Sequence, residues 1–246
     1  MSTAFESRTA MLLGEAGVEK LRRAHVVLFG LGGVGGYVAE ALARAGVGAL
    51  TLVDDDRVAE SNLNRQIIAL TTTVGQPKTR AAAQRVLAIN PACRVVEKEL
   101  FYTPETADQV SLEGADYVVD AVDTVTAKLE IIARAKAAGV PVISCMGTGN
   151  KLHPELLRLS VLEKTEGCPL ARVMRRECRA RGLKNIPVVY SPEAPLAPAV
   201  PPAEEGPGPQ RGGAPRRQTP GSVSFVPGAA GLILAGKVVR DITGME

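Results

Sequence analysis

The sequence predicts an α/β protein with a mostly parallel, doubly wound sheet and helices on both faces, extended by C-terminal antiparallel strands and a final helix. Two observations lead to this prediction. Short apolar segments of strand length alternate with helical patterns, which is typical of right-handed βαβ units. Hydrophobic residues make up 46% of the 246 residues but aromatic residues only 3%, with no Trp. The core must therefore consist of Val, Ile, Leu and Ala, which suits a parallel sheet covered by helices.

The predicted elements alternate up to Gly149 and change character after it. In the first part, strands are predicted at residues 26–29, 50–54, 94–97, 117–120 and 140–144, and helices at residues 34–45, 78–89, 104–110 and 125–138. In the second part, strands are predicted at residues 156–162, 188–190 and 222–226, and helices at residues 169–181 and 228–242.

We interpret residues 1–246 as a single domain, with residues 191–220 as a flexible loop inserted between two of its strands. This segment is dense in Pro, Gly, Ala and Arg and has almost no large apolar side chains. It cannot bury enough surface to offset the entropy cost of ordering it. A dispensable linker and a functional lid are both open interpretations.

The cysteines and the apolar segments of the sequence indicate in which cellular compartment the protein is expected. The cysteines at positions 93, 145, 168 and 178 form no C-x-x-C pair, so neither a disulfide framework nor a four-cysteine zinc site is expected, and a reducing cytoplasm fits. The N-terminus lacks the apolar core of a signal peptide. No apolar run reaches the length of about 18 residues that a membrane span needs, so no membrane partner is expected.

A glycine pattern follows the first predicted strand. The apolar run at residues 26–29 stops at Gly30, and Gly30-x-Gly32-x-x-Gly35 leads into an alanine-rich helix. Glycines allow a tight turn and a close approach of backbone to phosphate, and a helix N-terminus presents free N–H groups to an anion. The sheet is therefore predicted to be Rossmann-like and to bind a nucleotide. Asp54, at the end of the next strand, is placed to bind a ribose, which both NAD and ATP contain.

Further polar residues favour ATP over a dinucleotide. Arg65, Lys78 and Asp123 lie in segments that are expected at the same carboxyl edge of the sheet as the glycine pattern. An Arg and a Lys can hold the β- and γ-phosphates of a triphosphate, and an acid can hold Mg²⁺. The Walker pattern G-x-x-x-x-G-K-[ST] is absent, which excludes a P-loop enzyme.

Basic charge is concentrated in one segment of the second half. Residues 164–184 contain seven Lys or Arg and two Glu, although the whole chain has a net charge of only +3. On the predicted helix at residues 169–181, four arginines fall on one face, namely Arg172, Arg175, Arg176 and Arg179. Such a face suits RNA phosphates. The alternative is a solvated surface helix.

Five motifs, taken as a set, resemble one family. GLGGVGG, LVDDDRV, SNLNRQ, VGQPK and DAVDT occur in this order and spacing and resemble the ubiquitin-activating-like superfamily of ATP-dependent adenylating enzymes. The resemblance implies an ATP-binding site formed by Gly30, Gly32, Gly33, Gly35, Asp54, Asn62, Arg65 and Lys78. It implies catalytic roles for Arg65, Lys78 and Asp123, with Asp123 holding Mg²⁺. The alternatives are a helix cap for Asn62 and an ordinary exposed position for Lys78.

The N-terminal segment carries a further implication. The pattern Arg8-Thr9-x-x-Leu12-Leu13-Gly14 resembles the arginine-bearing first helix of this family. In relatives, that arginine reaches the active site of the partner subunit. The resemblance therefore implies a catalytic role for Arg8 and a homodimer.

Motifs of the second half resemble one branch of the superfamily, the tRNA threonylcarbamoyladenosine dehydratases. These motifs are CMGTGN, LEKT, CPLARVMR, VVYSPE and GSVSFVP. The resemblance implies ATP-dependent cyclisation, with loss of water, of N6-threonylcarbamoyladenosine in tRNA through activation of its threonyl carboxylate. A monovalent cation, and a cysteine desulfurase or related sulfur-transfer protein as a partner, are suggested by family association alone.

Two other functions stay open. One is adenylation of the C-terminus of a ubiquitin-like sulfur-carrier protein, which the missing C-x-x-C pairs disfavour. The other is a non-catalytic nucleotide sensor or an NAD-linked oxidoreductase, which Arg65, Lys78 and Asp123 disfavour. Cys168 lies where some relatives place a thioester cysteine, and the alternative is a plain thiol at a helix N-terminus.

Overall fold

The structure, a computed structural model, describes residues 3–200 and 220–245. Most of the predicted inserted loop at residues 191–220 therefore lies outside the described residues. Within the described ranges, no helix has the length and apolar character needed to cross a lipid bilayer.

Seven strands form one sheet in the order β3-β2-β1-β4-β5-β7-β6. They are β1 His25–Phe29, β2 Ala49–Asp54, β3 Arg94–Glu99, β4 Tyr117–Asp120, β5 Val142–Cys145, β6 Arg158–Val161 and β7 Pro187–Tyr190. Strands β1 to β5 and β7 run parallel to one another, and β6 pairs antiparallel with β7 at the edge. The carboxyl ends of six neighbouring strands therefore meet at one edge of the sheet.

Helices cover both faces of the sheet. They are α1 Ser7–Arg23, α2 Gly35–Arg44, α3 Lys78–Ile89, α4 Val125–Ala137, α5 Pro169–Ala180 and α6 Phe225–Thr243. Buried side chains of α1, α2, α3 and α6 belong to one hydrophobic core, and those of α4 and α5 belong to a second core on the opposite face. The result is a three-layer α/β/α arrangement.

Alternation along the strands builds the two cores. In β1, Val26 and Leu28 pack into the core of α2 and α6, whereas Val27 and Phe29 pack into the core of α4 and α5. All four side chains are at most 1% exposed. Because successive side chains of a strand point to opposite faces, a strand that is buried on both faces reads as a continuous apolar run.

The predicted fold class is confirmed, with one difference in the C-terminal extension. The predicted strand at residues 188–190 is β7, which is parallel to β5, so β6 is the antiparallel member of the extension. The predicted strand at residues 222–226 was wrong, because α6 already begins at Phe225. A proline in the first turn, here Pro227, is compatible with a helix start.

The predicted helix at residues 104–110 was also wrong. Only a short 3-10 turn, Ala107–Gln109, forms there. The hydroxyl of Thr106 accepts a hydrogen bond from the Thr103 amide at 2.9 Å and donates to the Phe101 carbonyl at 2.8 Å. Such local side-chain bonds compete with the helical hydrogen bonds of the backbone.

Candidate active site

The glycine turn after β1 has two positions at which close backbone contacts leave no space for a side chain. Gly30 has φ +86°, and a Cβ atom there would lie 2.7 Å from the carbonyl oxygen of Ala121. A Cβ at Gly35 would lie 1.7 Å from the carbonyl oxygen of Gly30. These two glycines are required by the turn itself, which brings the N-terminus of α2 to the carboxyl edge of the sheet.

The other two predicted glycines face a more open space. A Cβ at Gly32 would meet nothing closer than the Gln66 side chain at 3.9 Å, and one at Gly33 would contact Pro227 of α6 at 3.2 Å. Gly32 therefore leaves room for a ligand to approach the backbone, whereas Gly33 lets the start of α6 pack against the turn.

Asp54 joins the glycine turn to the loop after β2. Its Oδ2 accepts a hydrogen bond from the Leu31 amide at 2.6 Å, and its Oδ1 accepts one from the Asp56 amide at 2.8 Å. Burial raises the pKa of Asp54, and the nearby Lys78 ammonium opposes this shift. The two amides fix the orientation of the Asp54 carboxylate beside the glycine turn.

Lys78 is held at the site by pairing between two loops. The Lys78 amide donates to the Asp56 carbonyl at 2.9 Å, and the Val58 amide donates to the Gln76 carbonyl at 2.9 Å. The Lys78 ammonium lies 2.9 Å from Oδ2 of Asp56, and the Lys78 side chain is only 7% exposed. Lys78 is thus not an ordinary exposed helix lysine but a buried cation next to Asp54.

Arg65 and Asn62 lie in the segment that faces the glycine turn. Arg65 donates from Nη1 to the Ser61 carbonyl at 2.8 Å and to Oδ1 of Asn64 at 2.9 Å. Burial lowers the pKa of Arg65, and no carboxylate among the described residues lies within 4.0 Å of its guanidinium. Oδ1 of Asn62 accepts from the Ala59 amide at 3.1 Å, so Asn62 does cap its own 3-10 turn.

A buried ionic cluster, which the sequence did not reveal, supports the loop that carries Asp123. The Lys128 ammonium contacts Oδ2 of Asp120 at 3.0 Å, the Ser144 hydroxyl at 3.2 Å and the Cys145 carbonyl at 2.7 Å. Oδ1 of Asp120 accepts from the Val122 amide at 3.2 Å. The cluster ties the ends of β4 and β5 to α4, and Asp123 is exposed in the loop that follows β4.

Two of the four predicted basic residues of α5 are already engaged. Arg175 donates to the Thr165 carbonyl at 2.7 Å, and Arg176 forms an ion pair with Glu177 at 2.8 Å. Arg172 and Arg179 are exposed, and neither has an ion pair among the described residues. Arg8 is exposed in the first turn of α1.

The thiols near the site are buried. Cys168 precedes the first residue of α5 and is 2% exposed, and Cys145 is 4% exposed. Burial raises the pKa of Cys145 to about 12. A buried thiol is not presented to a substrate, which favours a plain thiol at the N-terminus of α5 over a thioester cysteine for Cys168.

The fold and this edge of the sheet define a nucleotide-binding α/β protein whose site combines a glycine turn with the buried Lys78 and the partly buried Arg65. The profile of the ThiF family matches residues 6–246, and the chain belongs to that family. The tRNA threonylcarbamoyladenosine dehydratase of Bacillus subtilis is 40% identical over 237 residues, which are 96% of this chain and 93% of the relative.

A solved structure and a more distant relative extend the comparison. The structure of Escherichia coli tRNA N6-threonylcarbamoyladenosine dehydratase in complex with ATP is similar with a TM-score of 0.85 and 32% identity, over 99% of this chain and 96% of that one. The sulfur carrier protein ThiS adenylyltransferase of Escherichia coli is 38% identical, but over only 55% of each chain.

Proposed function

We propose that this protein uses ATP to activate the threonyl carboxylate of N6-threonylcarbamoyladenosine in tRNA and then closes a ring with net loss of water. The observation that carries the proposal is the likeness, over nearly the whole chain, to a dehydratase structure that holds ATP. The likeness to a sulfur-carrier adenylyltransferase covers only about half of this chain. We therefore prefer the dehydratase to the adenylation of a carrier protein.

The proposed chemistry has two steps. In the first, the threonyl carboxylate oxygen attacks the α-phosphorus of ATP and pyrophosphate leaves. In the second, the urea group of the same substituent attacks the activated carbonyl, loses a proton, and AMP leaves. The attacking group belongs to the substrate, so ring closure benefits from proximity and needs no catalytic thiol. This agrees with the burial of Cys168.

The residues of the carboxyl edge fit the needs of the first step. The glycine turn and the N-terminus of α2 offer backbone N–H groups to phosphate, and Asp54 offers carboxylate oxygens to the ribose. Arg65 has no carboxylate partner among the described residues. The Lys78 ammonium, which is paired with Asp56, can bind the triphosphate in place of Asp56. Positive charge held in place around the transferring phosphorus stabilises the transition state.

Asp123 is the residue that we assign to Mg²⁺. Mg²⁺ commonly keeps several waters and binds through one or two carboxylates together with substrate phosphates. Asp123 is exposed and follows Val122, whose backbone nitrogen lies close to Gly30 of the glycine turn, and one such carboxylate fits that pattern. When bound, the ion neutralises charge on the phosphates. The expectation of a monovalent cation, like that of a sulfur-transfer partner, rests on family association.

We propose that a second copy of the chain completes the site. Arg8 lies on α1, three residues before Met11, and Met11 and Leu12 are 82% and 79% exposed. Exposed large apolar side chains beside a functional residue are typical of an interface. In a two-fold dimer formed through α1, Arg8 would reach the site of the partner subunit.

The proposed activity is tested on tRNA that carries the open nucleoside. The purified protein is incubated with this tRNA, ATP and Mg²⁺, and the nucleosides are analysed by mass spectrometry. We expect a product that is lighter by one water, formed with release of AMP and pyrophosphate. Lys78→Ala and Asp123→Ala should abolish product while the thermal unfolding temperature stays near that of the wild type.

A matched control is Lys136→Ala, which removes an exposed lysine outside the basic segment at residues 164–184 and should leave the product unchanged. An unchanged nucleoside with the wild-type protein would contradict the proposed activity. Release of pyrophosphate that depends instead on a carrier protein ending in Gly-Gly would support the adenylation of a carrier.

A further inference from the structure

Residues 220–224, which we call the crossover segment, lead into α6 and are fastened at both ends. At one end, Asn150 binds Gly221 twice: the Asn150 amide donates to the Gly221 carbonyl at 2.7 Å, and Oδ1 of Asn150 accepts from the Gly221 amide at 2.6 Å. At the other end, Pro227 packs against the position of Gly33 in the glycine turn. The segment therefore runs between the loop after β5 and the nucleotide site.

A third attachment lies between these two and comes from the nucleotide site itself. Nδ2 of Asn64 donates to the carbonyl oxygen of Ser222 at 3.0 Å, and Oδ1 of Asn64 accepts from Nη1 of Arg65 at 2.9 Å. A guanidinium can only donate and a carbonyl can only accept, so chemistry fixes the orientation of the Asn64 amide. One side chain thus joins Arg65 to the crossover segment.

We propose that Asn64 is a positioning residue that couples occupation of the ATP site to the placement of the crossover segment. This inference rests on the proposed function, in which Arg65 contacts the phosphates of ATP. An Arg65 guanidinium that is fixed by a triphosphate also fixes Asn64, and Asn64 then holds Ser222. By thermodynamic reciprocity, anything that orders the crossover segment also favours the arrangement of Arg65 that binds ATP.

Placement of the crossover segment matters because of where it lies. It crosses the carboxyl edge of the sheet beside the glycine turn, and Ser224 and Phe225 at its end are exposed. A tRNA nucleoside that brings its carboxylate to the α-phosphorus must approach this same edge. ATP binding would therefore determine the position of the crossover segment, which forms part of the surface that the tRNA nucleoside contacts.

The test measures hydrogen exchange of the full-length protein by mass spectrometry, with and without ATP and Mg²⁺. In the wild type, we expect ATP to slow exchange in two peptides, one spanning residues 31–36 of the glycine turn and one spanning residues 221–226. In Asn64→Leu, a neutral side chain of similar size can neither accept from Arg65 nor donate to Ser222. ATP should then protect residues 31–36 as before and leave residues 221–226 unprotected.

Kinetics provide the second readout. Asn64→Leu should raise the KM for tRNA by up to about tenfold, the loss expected for one hydrogen bond, with little change in the KM for ATP. The control is Gln109→Leu, at an exposed glutamine that belongs to neither site, which should match the wild type in both readouts. A general loss of structure would instead raise exchange throughout the protein.

The outcomes separate this inference from the proposed function. If ATP protects residues 31–36 but not residues 221–226 in the wild type, or protects both equally in Asn64→Leu, the coupling role of Asn64 is overturned and the ATP site stands. If ATP protects neither peptide, the ATP site itself is refuted and the inference is lost with it.

Discussion

The ammonium group of Lys128 lies 3.0 Å from the carboxylate of Asp120, and both side chains are 0% exposed. Ser144 and the Cys145 carbonyl supply the remaining contacts of the ammonium. A buried ion pair is tolerated only when its charges are neutralised and its hydrogen bonds are satisfied. The pair fixes the end of β4. Ala121 is the next residue, and its carbonyl group contacts Gly30 so closely that no side chain fits there. A core interaction therefore sets the geometry of the glycine turn.

Removal of the cation alone should destabilise the fold strongly. Lys128→Met leaves the Asp120 carboxylate buried without its partner, so we expect the free energy of unfolding to fall by about 3–5 kcal/mol. Lys128→Met combined with Asp120→Asn should recover part of this loss, because no buried charge remains. Urea unfolding measures both variants. Lys184→Met, at an exposed position, should change stability by no more than about 0.5 kcal/mol. A similarly small effect at Lys128 would contradict the interpretation.

The sequence contained a signal for this pair that periodicity alone did not expose. Lys128 lies on the same face of α4 as the apolar residues Val125, Leu129 and Ile132. A lysine on a buried stripe needs an anionic partner. The partner lies on a different strand, however, and only the folded sheet brings Asp120 next to α4.

The glycines of the turn should separate into structural and functional positions. Gly35→Ala places a methyl group 1.7 Å from the Gly30 carbonyl oxygen, so it should cost at least about 3 kcal/mol of stability or prevent folding. Gly32→Ala meets no atom within 3.4 Å and should change stability by about 1 kcal/mol or less, while it weakens ATP binding by obstructing the approach to the backbone. Thermal unfolding and calorimetric ATP titration measure the two effects. Equal effects of both substitutions on stability would refute this division.

Stability should depend on acidity through Glu6. Hydrogen bonds from Arg22 and Thr3 lower the pKa of Glu6 from its ordinary 4.5 to about 2. As pH falls below 4.5, the unfolded chain takes up a proton before the folded one, so the contribution of Glu6 is complete above pH 4.5 and is lost towards pH 2. In urea unfolding, Glu6→Gln should be less stable than the wild type at neutral pH, and this difference should shrink as the pH is lowered through this range. A Glu6→Gln difference that stays constant with pH would contradict the assignment.

The fold and the glycine turn were predictable because their signals are local. An apolar run, a glycine pattern and an acid after the next strand lie within about thirty residues, the length of one βαβ unit. The start of α6 was not predictable in this way. The alternation of Ser222, Val223 and Ser224 reads as a strand, whereas Asn64 and Gly33, far away in sequence, determine where this segment lies.

The basic face of α5 should bind tRNA mainly through Arg172 and Arg179, whose side chains have neither an ion pair nor a hydrogen bond among the described residues. Arg172→Glu with Arg179→Glu should weaken tRNA binding by at least about tenfold and make the dependence of log K on log salt shallower by about one to two units. Arg176→Glu should have a smaller effect, because Arg176 is already paired with Glu177. Filter binding or fluorescence anisotropy at several salt concentrations measures both.

A double substitution on another strand, with the same change in net charge, provides the control for the basic face. The control variant carries Arg94→Glu and Lys98→Glu, both on β3. This strand forms one edge of the sheet, and the strands near α5 lie towards the other edge. If this control weakens binding as much as the α5 variant, net charge and not the α5 surface determines affinity.

Mixing two inactive variants should restore activity if Arg8 acts on the partner subunit. A dimer of Arg8→Ala lacks the arginine in both sites, and a dimer of Asp123→Ala lacks the carboxylate in both. In a mixed two-fold dimer, one site receives both the intact Arg8 and the intact Asp123. Random reassortment of equal amounts should therefore yield about a quarter of the wild-type activity. The measurement is the rate of tRNA cyclisation after the subunits have been allowed to exchange. Subunit exchange without any recovery would place Arg8 in its own site, and a monomer by light scattering would exclude the dimer.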